Sequence, residues 1–325
     1  MSNSNKPQVL IARAIFPEVI ARLQNHFTLE LNQEDHIYSA EQLAQRLQGK
    51  FGMLCTSSAR IDATLLAACP QLRIVSSIAV GYDNIDLSAC LRFGVMATNA
   101  PDVLSETTAD YAWALMMAAA RRVTEAEHFL RAGQWKKWSY DFFQGAEIHG
   151  TCLGILGMGR IGQAIARRAS GFGMRVIYHN RQRLTPEQER AAHGASYVEK
   201  ERLLQEADHL MLALPYSPEA HHIIGAKELA LMKPSATLCN IARGGIVDDA
   251  ALIAALREGR LAAAGLDVFE NEPHVNPDFL QLNNVVLSPH IASATRQTRL
   301  AMVNTAANNL IAAARGERPP QLLVV

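Results

Sequence analysis

Between residues 9 and 288 the chain passes again and again from a short, β-branched apolar run into a helical pattern and back. No other feature constrains the fold as much. Strands joined this way run parallel, and their crossover helices cover both faces of the sheet. The class is therefore α/β. Strands are expected at 9–12, 29–31, 52–55, 74–78 and 95–97, with helices at 17–26, 40–47, 63–68 and 87–92. Residues 107–130 then read as one long helix without Gly or Pro, rich in Ala, Leu and Met. A second alternation starts at Cys152, with strands near 153–156, 175–179, 209–213, 237–241, 264–268 and 285–288. The pattern at 294–314 is a long helix that can return to the first lobe, and 325 residues suit two domains. The expected division is 1–102 with 288–325 for one lobe and 103–287 for the other.

Charge and cysteine usage narrow the partners. Lys and Arg together number 31, as do Asp and Glu, and there is no block of like charge. Neither nucleic acid nor an anionic membrane is an expected partner. The longest apolar stretch, 112–120, is far short of the roughly 20 residues a bilayer span needs. The segment after the polar N-terminus is broken by Arg13 and lacks a signal peptide's apolar region. Cys55, Cys69, Cys90, Cys152 and Cys239 are odd in number and widely spaced, so they read as reduced, buried thiols of a cytoplasmic protein.

Gly157-Met158-Gly159-Arg160-Ile161-Gly162 follows the apolar run Cys152–Leu156 and opens a helix. In that context the first glycine permits a tight turn, the second lets backbone approach a pyrophosphate, and the third lets helix and strand pack closely. The expectation is a dinucleotide site. The next strand normally ends in an acid that accepts from the ribose 2′-hydroxyl of NAD. Here it ends in Asn180, followed by Arg181 and Arg183. Such guanidinium forks suit a 2′-phosphate, so NADP(H) is expected in preference to NAD(H), which stays possible. The alternative is a solvated basic loop.

Three ionisable residues follow successive strand ends, where open α/β sheets place ligands: Arg243 in Asn240–Gly245, Glu272 in Asp267–Pro273, and His290 in Ser288–Ser293. An arginine can grip a carboxylate bidentately. A histidine can protonate a carbonyl oxygen during reduction, and a carboxylate can orient its ring. Taken singly, each has a plainer alternative: a capping charge, a loop residue, a satisfied core histidine.

With these motifs in order, from Val80–Asn84 through Thr107–Asp110, Gly157–Gly162, Asn240–Gly245 and Gly265–Pro273 to His290–Thr295, the chain resembles the D-isomer-specific 2-hydroxyacid dehydrogenases. The branch is that of glyoxylate/hydroxypyruvate reductases and 2-ketogluconate reductases. The resemblance implies a Rossmann nucleotide-binding domain and a discontinuous flavodoxin-like substrate domain that close over the ligands by a hinge. It implies an Arg243, Glu272 and His290 catalytic set. It implies substrate contacts from Ser57, Ser58, Val80 and Gly81, and cofactor contacts from Thr107, Ile161, Leu214, Pro215, Ile241, Asp267 and Ser293 beside the glycine-rich turn. It further implies a homodimer formed through the nucleotide-binding domains, with Trp138 reaching toward the partner's substrate pocket. The alternative for Trp138 is a packing anchor inside its own subunit.

The activity so implied is reduction of glyoxylate, hydroxypyruvate or 2-ketogluconate. Two alternatives stand beside it: an NAD-dependent enzyme working oxidatively on a phosphoglycerate- or lactate-like substrate, and a non-catalytic dinucleotide-sensing corepressor. Sensing would not need the full Arg-Glu-His set. The adjacent His221 and His222 suggest a metal, but no third ligand stands at a recognisable spacing, so no metal is expected and the pair reads as solvated.

Overall fold

The computed structural model describes residues 6–324 in two compact units, one running to Leu104 and resuming at Thr295, the other spanning Ser105–Ala294. In chain order the first unit contains β1 (Gln8–Ile11), α1 (Pro17–Gln24), β2 (Thr28–Leu31), α2 (Ala40–Arg46), β3 (Gly52–Cys55), α3 (Ala63–Ala68), β4 (Ile74–Ser77), α4 (Leu87–Phe93) and β5 (Met96–Thr98). The second contains α5 (Ser105–Ala120), α6 (Val123–Arg131), β6 (Cys152–Leu156), α7 (Arg160–Arg168), β7 (Arg175–His179), α8 (Pro186–Ala191), β8 (Ser196–Tyr197), α9 (Lys200–Glu206), β9 (His209–Leu212), α10 (Ala226–Leu229), β10 (Thr237–Asn240), α11 (Asp249–Arg257), β11 (Ala263–Leu266) and β12 (Val285–Leu287). The chain then returns to the first unit as α12 (Arg296–Ala314) and β13 (Leu322–Val324).

The first unit's sheet runs β2-β1-β3-β4-β5-β13, parallel except for β13. That is the flavodoxin-like order with one antiparallel edge strand added. Its strands are apolar on both faces. On one side Val9, Ile11, Leu54 and Ile74 meet Val303, Ala306, Ala307 and Leu310 of α12. Gly52 permits the close approach, since a Cβ there would lie 3.1 Å from Leu310. The Ser76 hydroxyl donates to the Ala306 carbonyl at 3.0 Å and accepts from Thr98 at 2.9 Å, so the polar atoms under the helix are paired.

The second unit's sheet is wholly parallel, in the order β8-β7-β6-β9-β10-β11-β12. This is the Rossmann arrangement with one strand added beyond the sixth. One apolar cluster fills each face. Helix α5 lies on one of them, its Trp113 indole donating to the Ile165 carbonyl of α7 and stacked on Phe172.

Three expectations change. The long helix at 107–130 is two helices, because Arg122 takes a left-handed conformation, φ 55°, and forms a two-pronged pair with Glu125. Helical propensity over that stretch holds no signal for the break. Residues 288–294, expected with the first lobe, belong to the second unit, since they are hydrogen-bonded to the end of β11. Strands β8 and β13 are additional, and both are short edge strands with weak periodicity.

Candidate active site

The turn between β6 and α7 is built by what its glycines lack. Gly157 has φ 100°, and a Cβ there would sit 2.5 Å from the Leu214 nitrogen; one on Gly162 would sit 2.3 Å from the Gly157 carbonyl oxygen. Gly159 is different: its backbone is extended, and a Cβ there would meet nothing within 4 Å. Packing within the protein therefore does not require glycine at 159. The open space lies before the N-terminus of α7, whose first amides and dipole favour an anion, so the cradle fits a dinucleotide's pyrophosphate. Arg160 and Ile161 form the first turn of α7. Leu214 and Pro215 follow β9, beside β6 at the point where the strand order reverses.

At the end of β7, the Asn180 side chain accepts from the Met158 amide at 2.7 Å and so braces the glycine-rich turn. Arg183 is held by both carboxylate oxygens of Glu189, at 2.8 and 3.0 Å, and Glu189 also accepts from Tyr178. The pairing keeps the Glu189 carboxyl below its ordinary value. Arg181 is exposed.

The chemistry-bearing residues leave neighbouring strands. After β10, the Asn240 side chain accepts from the Ala242 amide and donates to the Arg243 carbonyl, both at 3.0 Å, which fixes the loop that presents Arg243. Gly244 presses this loop on the next: a Cβ there would fall 1.8 Å from the Phe269 oxygen. After β11, Glu272 accepts from the Phe269 amide at 3.0 Å and its other oxygen meets His290 Nδ1 at 2.8 Å. Burial pushes the Glu272 carboxyl up, but the His290 bond and charge, the Phe269 amide and the Arg243 charge together hold it below the ordinary value. The pair is open to solvent, with side-chain exposures of 44% for His290 and 35% for Glu272. An imidazole whose Nδ1 is held by a carboxylate is able to exchange a proton through Nε2.

His290 itself sits at φ 54°, unusual for a non-glycine residue. Asp267, fully buried at the end of β11, holds that turn: its carboxylate accepts from Ser288 Oγ at 2.7 Å and from the Ile291 and Ala292 amides at 2.8 Å each. The resemblance pointed Asp267 at the cofactor; in the structure its carboxylate serves the turn that bears His290. Ile241 is buried, while Thr107, in the first turn of α5, and Ser293 are half-buried.

In the first unit, Ser57 and Ser58 follow β3 and are exposed, and Val80 and Gly81 follow β4. The Val80 carbonyl accepts from Asn99 at 2.8 Å. Arg13, after β1, spans Asp35 with two bonds and donates to Ser58 at 3.0 Å. The sheet order reverses between β1 and β3, so these loops lie where such sheets take ligands. Arg13 was missed because its partner, Asp35, stands 22 residues away.

Trp138 is 72% exposed, so it is not a packing anchor of its own subunit. His221 is exposed, whereas His222, expected as part of a solvated pair, is partly exposed and pairs with Glu270, with His221 stacked on it. Among the described residues no group of three His, Cys, Asp or Glu could hold a metal ion, and no helix is long and apolar enough to cross a membrane. The five cysteines are buried and free, and burial pushes the Cys55 thiol up to about 12.

A cradle for a dinucleotide, with a carboxylate-oriented histidine beside an arginine loop on the same sheet edge, defines a nicotinamide-dependent oxidoreductase of hydroxyacid type. The family model described as D-isomer specific 2-hydroxyacid dehydrogenase, NAD binding domain, matches residues 113–292, and the chain belongs to that family. It is 48% identical to a glyoxylate reductase of Thermococcus onnurineus, over 98% of this chain and 96% of that protein. Among solved structures it is similar to a glyoxylate reductase from Paecilomyes thermophila (33% identity, 98% of each chain, TM-score 0.88). It is also similar to an NADPH-dependent glyoxylate/hydroxypyruvate reductase from Sinorhizobium meliloti in complex with NADP and malonate (33% identity, 98% and 97% of the chains, TM-score 0.88).

Proposed function

We infer that the chain reduces small 2-oxoacids to D-2-hydroxyacids, with glyoxylate and hydroxypyruvate as first candidates, 2-ketogluconate as a larger one, and NADPH preferred to NADH. The observation that carries this reading is the Glu272–His290 bond at 2.8 Å. A dinucleotide held at the Gly157–Gly162 turn would supply the hydride, from nicotinamide C4, that the keto carbon requires. Arg243 grips the substrate carboxylate and polarises the ketone. His290, its Nδ1 held by Glu272, gives the Nε2 proton to the ketone oxygen as it becomes a hydroxyl. Ser57, Ser58, Val80 and Gly81 are assigned to substrate contact, and the Gly157–Gly162 turn to the cofactor. The buried, unreactive thiols suit the cytoplasm. Exposed Trp135, Trp138 and Tyr140 suit a homodimer interface on the nucleotide-binding unit.

The relatives' names support the substrate class, and the absence of an acid after β7 supports NADPH. Arg181 is assigned the larger share of 2′-phosphate recognition, since Arg183 would first have to leave Glu189. Steady-state rates with each of the three 2-oxoacids, under NADPH and under NADH, test the whole. The expected result is turnover with at least one acid and a clear NADPH advantage. Arg181→Ala should weaken NADPH about tenfold and NADH little, with a smaller effect from Arg183→Ala. Absence of turnover in all six pairs overturns the reading.

A further inference from the structure

The segment after β9, residues 213–224, lies over the two loops that carry Arg243 and Glu272. Its backbone is tied to the first of them: the His222 amide donates to the Gly245 carbonyl at 2.7 Å, the Ile224 amide to Ile246 at 3.2 Å, and the Asp248 amide back to Ile224 at 3.0 Å. A side-chain tie reaches the second loop, where His222 Nε2 meets Glu270 Oε1 at 2.5 Å. His222 adopts φ 51° to make both connections. The His221 ring stacks on it at 3.8 Å and is itself bonded to Tyr216 at 3.2 Å. Glu270 is two residues from Glu272, and the Phe269 amide beside it binds Glu272 directly.

Resting on the reading above, we propose that His222 is a positioning residue, which ties the Glu272 loop to the Arg243 loop and so fixes the spacing between the carboxylate-gripping arginine and the Glu272–His290 proton donor. The two loops meet closely where the Gly244 backbone approaches the Phe269 carbonyl, and the Asp249 carboxylate also accepts from the Glu270 amide. His222 adds a second link, from an element outside both loops. The His222–Glu270 pair is partly exposed, at 35% and 26%, and such pairs add little to global stability. Its effect is therefore local. Misplacement of reacting groups by about 1 Å costs roughly 10²-fold in rate, which makes a local tie consequential. Asp249, at the start of α11, faces the same pair; its carboxyl is pushed up to about 6 by burial first and then by the charges of Glu270 and Asp248.

The test compares wild type with His222→Ala, His222→Gln and Glu270→Gln. Three quantities are read: steady-state glyoxylate reduction, NADPH affinity by nicotinamide fluorescence without substrate, and hydrogen exchange of segments 243–247 and 269–273 in the free protein. For His222→Ala, kcat with glyoxylate should fall about tenfold to hundredfold with NADPH affinity within about twofold, and both segments should exchange faster. His222→Gln keeps an N–H donor and should recover most of kcat and of the protection, whereas Glu270→Gln should resemble the alanine variant in milder form. Unchanged exchange in both segments overturns the proposal, as does a glutamine variant no better than alanine, or a loss confined to NADPH affinity. If the alanine variant does not fold, the glutamine and Glu270→Gln proteins carry the same comparison. A wild type without turnover, combined with exchange that still responds to His222, would retain the tie and reject only the reductase reading.

Discussion

Two turns of the second unit reach unusual backbone geometry by opposite means. Between β6 and α7 the chain needs φ 100° and contacts closer than a Cβ allows, and glycines at 157 and 162 supply both. After β12 the chain takes φ 54° at His290, a residue that is not glycine. There the conformation is imposed from outside, by the buried Asp267 carboxylate accepting from Ser288, Ile291 and Ala292. A binding turn can be made by removing side chains. The turn that bears His290 is held by adding one.

This contrast can be broken at either turn. The largest effect is expected at His290: His290→Ala should lower turnover by about two to four orders of magnitude while NADPH affinity is nearly kept. Turnover near that of wild type would remove the histidine from the chemistry. Next comes Gly157→Ala, which adds a Cβ 2.5 Å from the Leu214 nitrogen at a positive φ. It should cost on the order of 3 kcal/mol or more of stability, read as a lowered denaturant midpoint, and a stable variant would show that the turn can rearrange.

Asp267→Asn should cost about 1–3 kcal/mol, since only one oxygen remains to accept and the new NH2 group must face a donor of the turn, and turnover should fall with the loosened turn. A thermal melt with kinetics at the same temperature checks both. Equal stability and rate would mean that φ at His290 needs no outside support. The smallest structural effect is expected for Gly159→Ala, within about 0.5 kcal/mol in stability, yet with dinucleotide affinity weakened about tenfold or more. A variant that binds NADPH as wild type does would show that nothing approaches Gly159 closely.

The alternation of apolar runs and helical patterns already determined the α/β class and most strand positions, because each crossover is a local pattern that can be read within a dozen residues. The glycine-rich turn was legible for the same reason: its constraint is the absence of side chains at fixed spacing. Arg243, Glu272 and His290 were visible as residues at successive strand ends. Their mutual geometry was not, since it depends on strand order, and no periodicity records that β11 and β12 lie side by side.

What only the tertiary structure decided are particular side-chain partnerships, some local and others across long separations. Helix 107–130 broke at Arg122, which has ordinary helix propensity but turns to pair with Glu125. Asn180 and Arg183, similar in sequence context as candidates for the ribose, diverged because one braces Met158 and the other is held by Glu189. Asp267 became the support of the His290 turn 23 residues on, and His222 reached Glu270 across 48. Local sequence sets backbone preference through sterics and periodic burial. Side-chain hydrogen bonds and ion pairs act over about 3 Å in space whatever the separation along the chain, so only the assembled sheet brings their partners together.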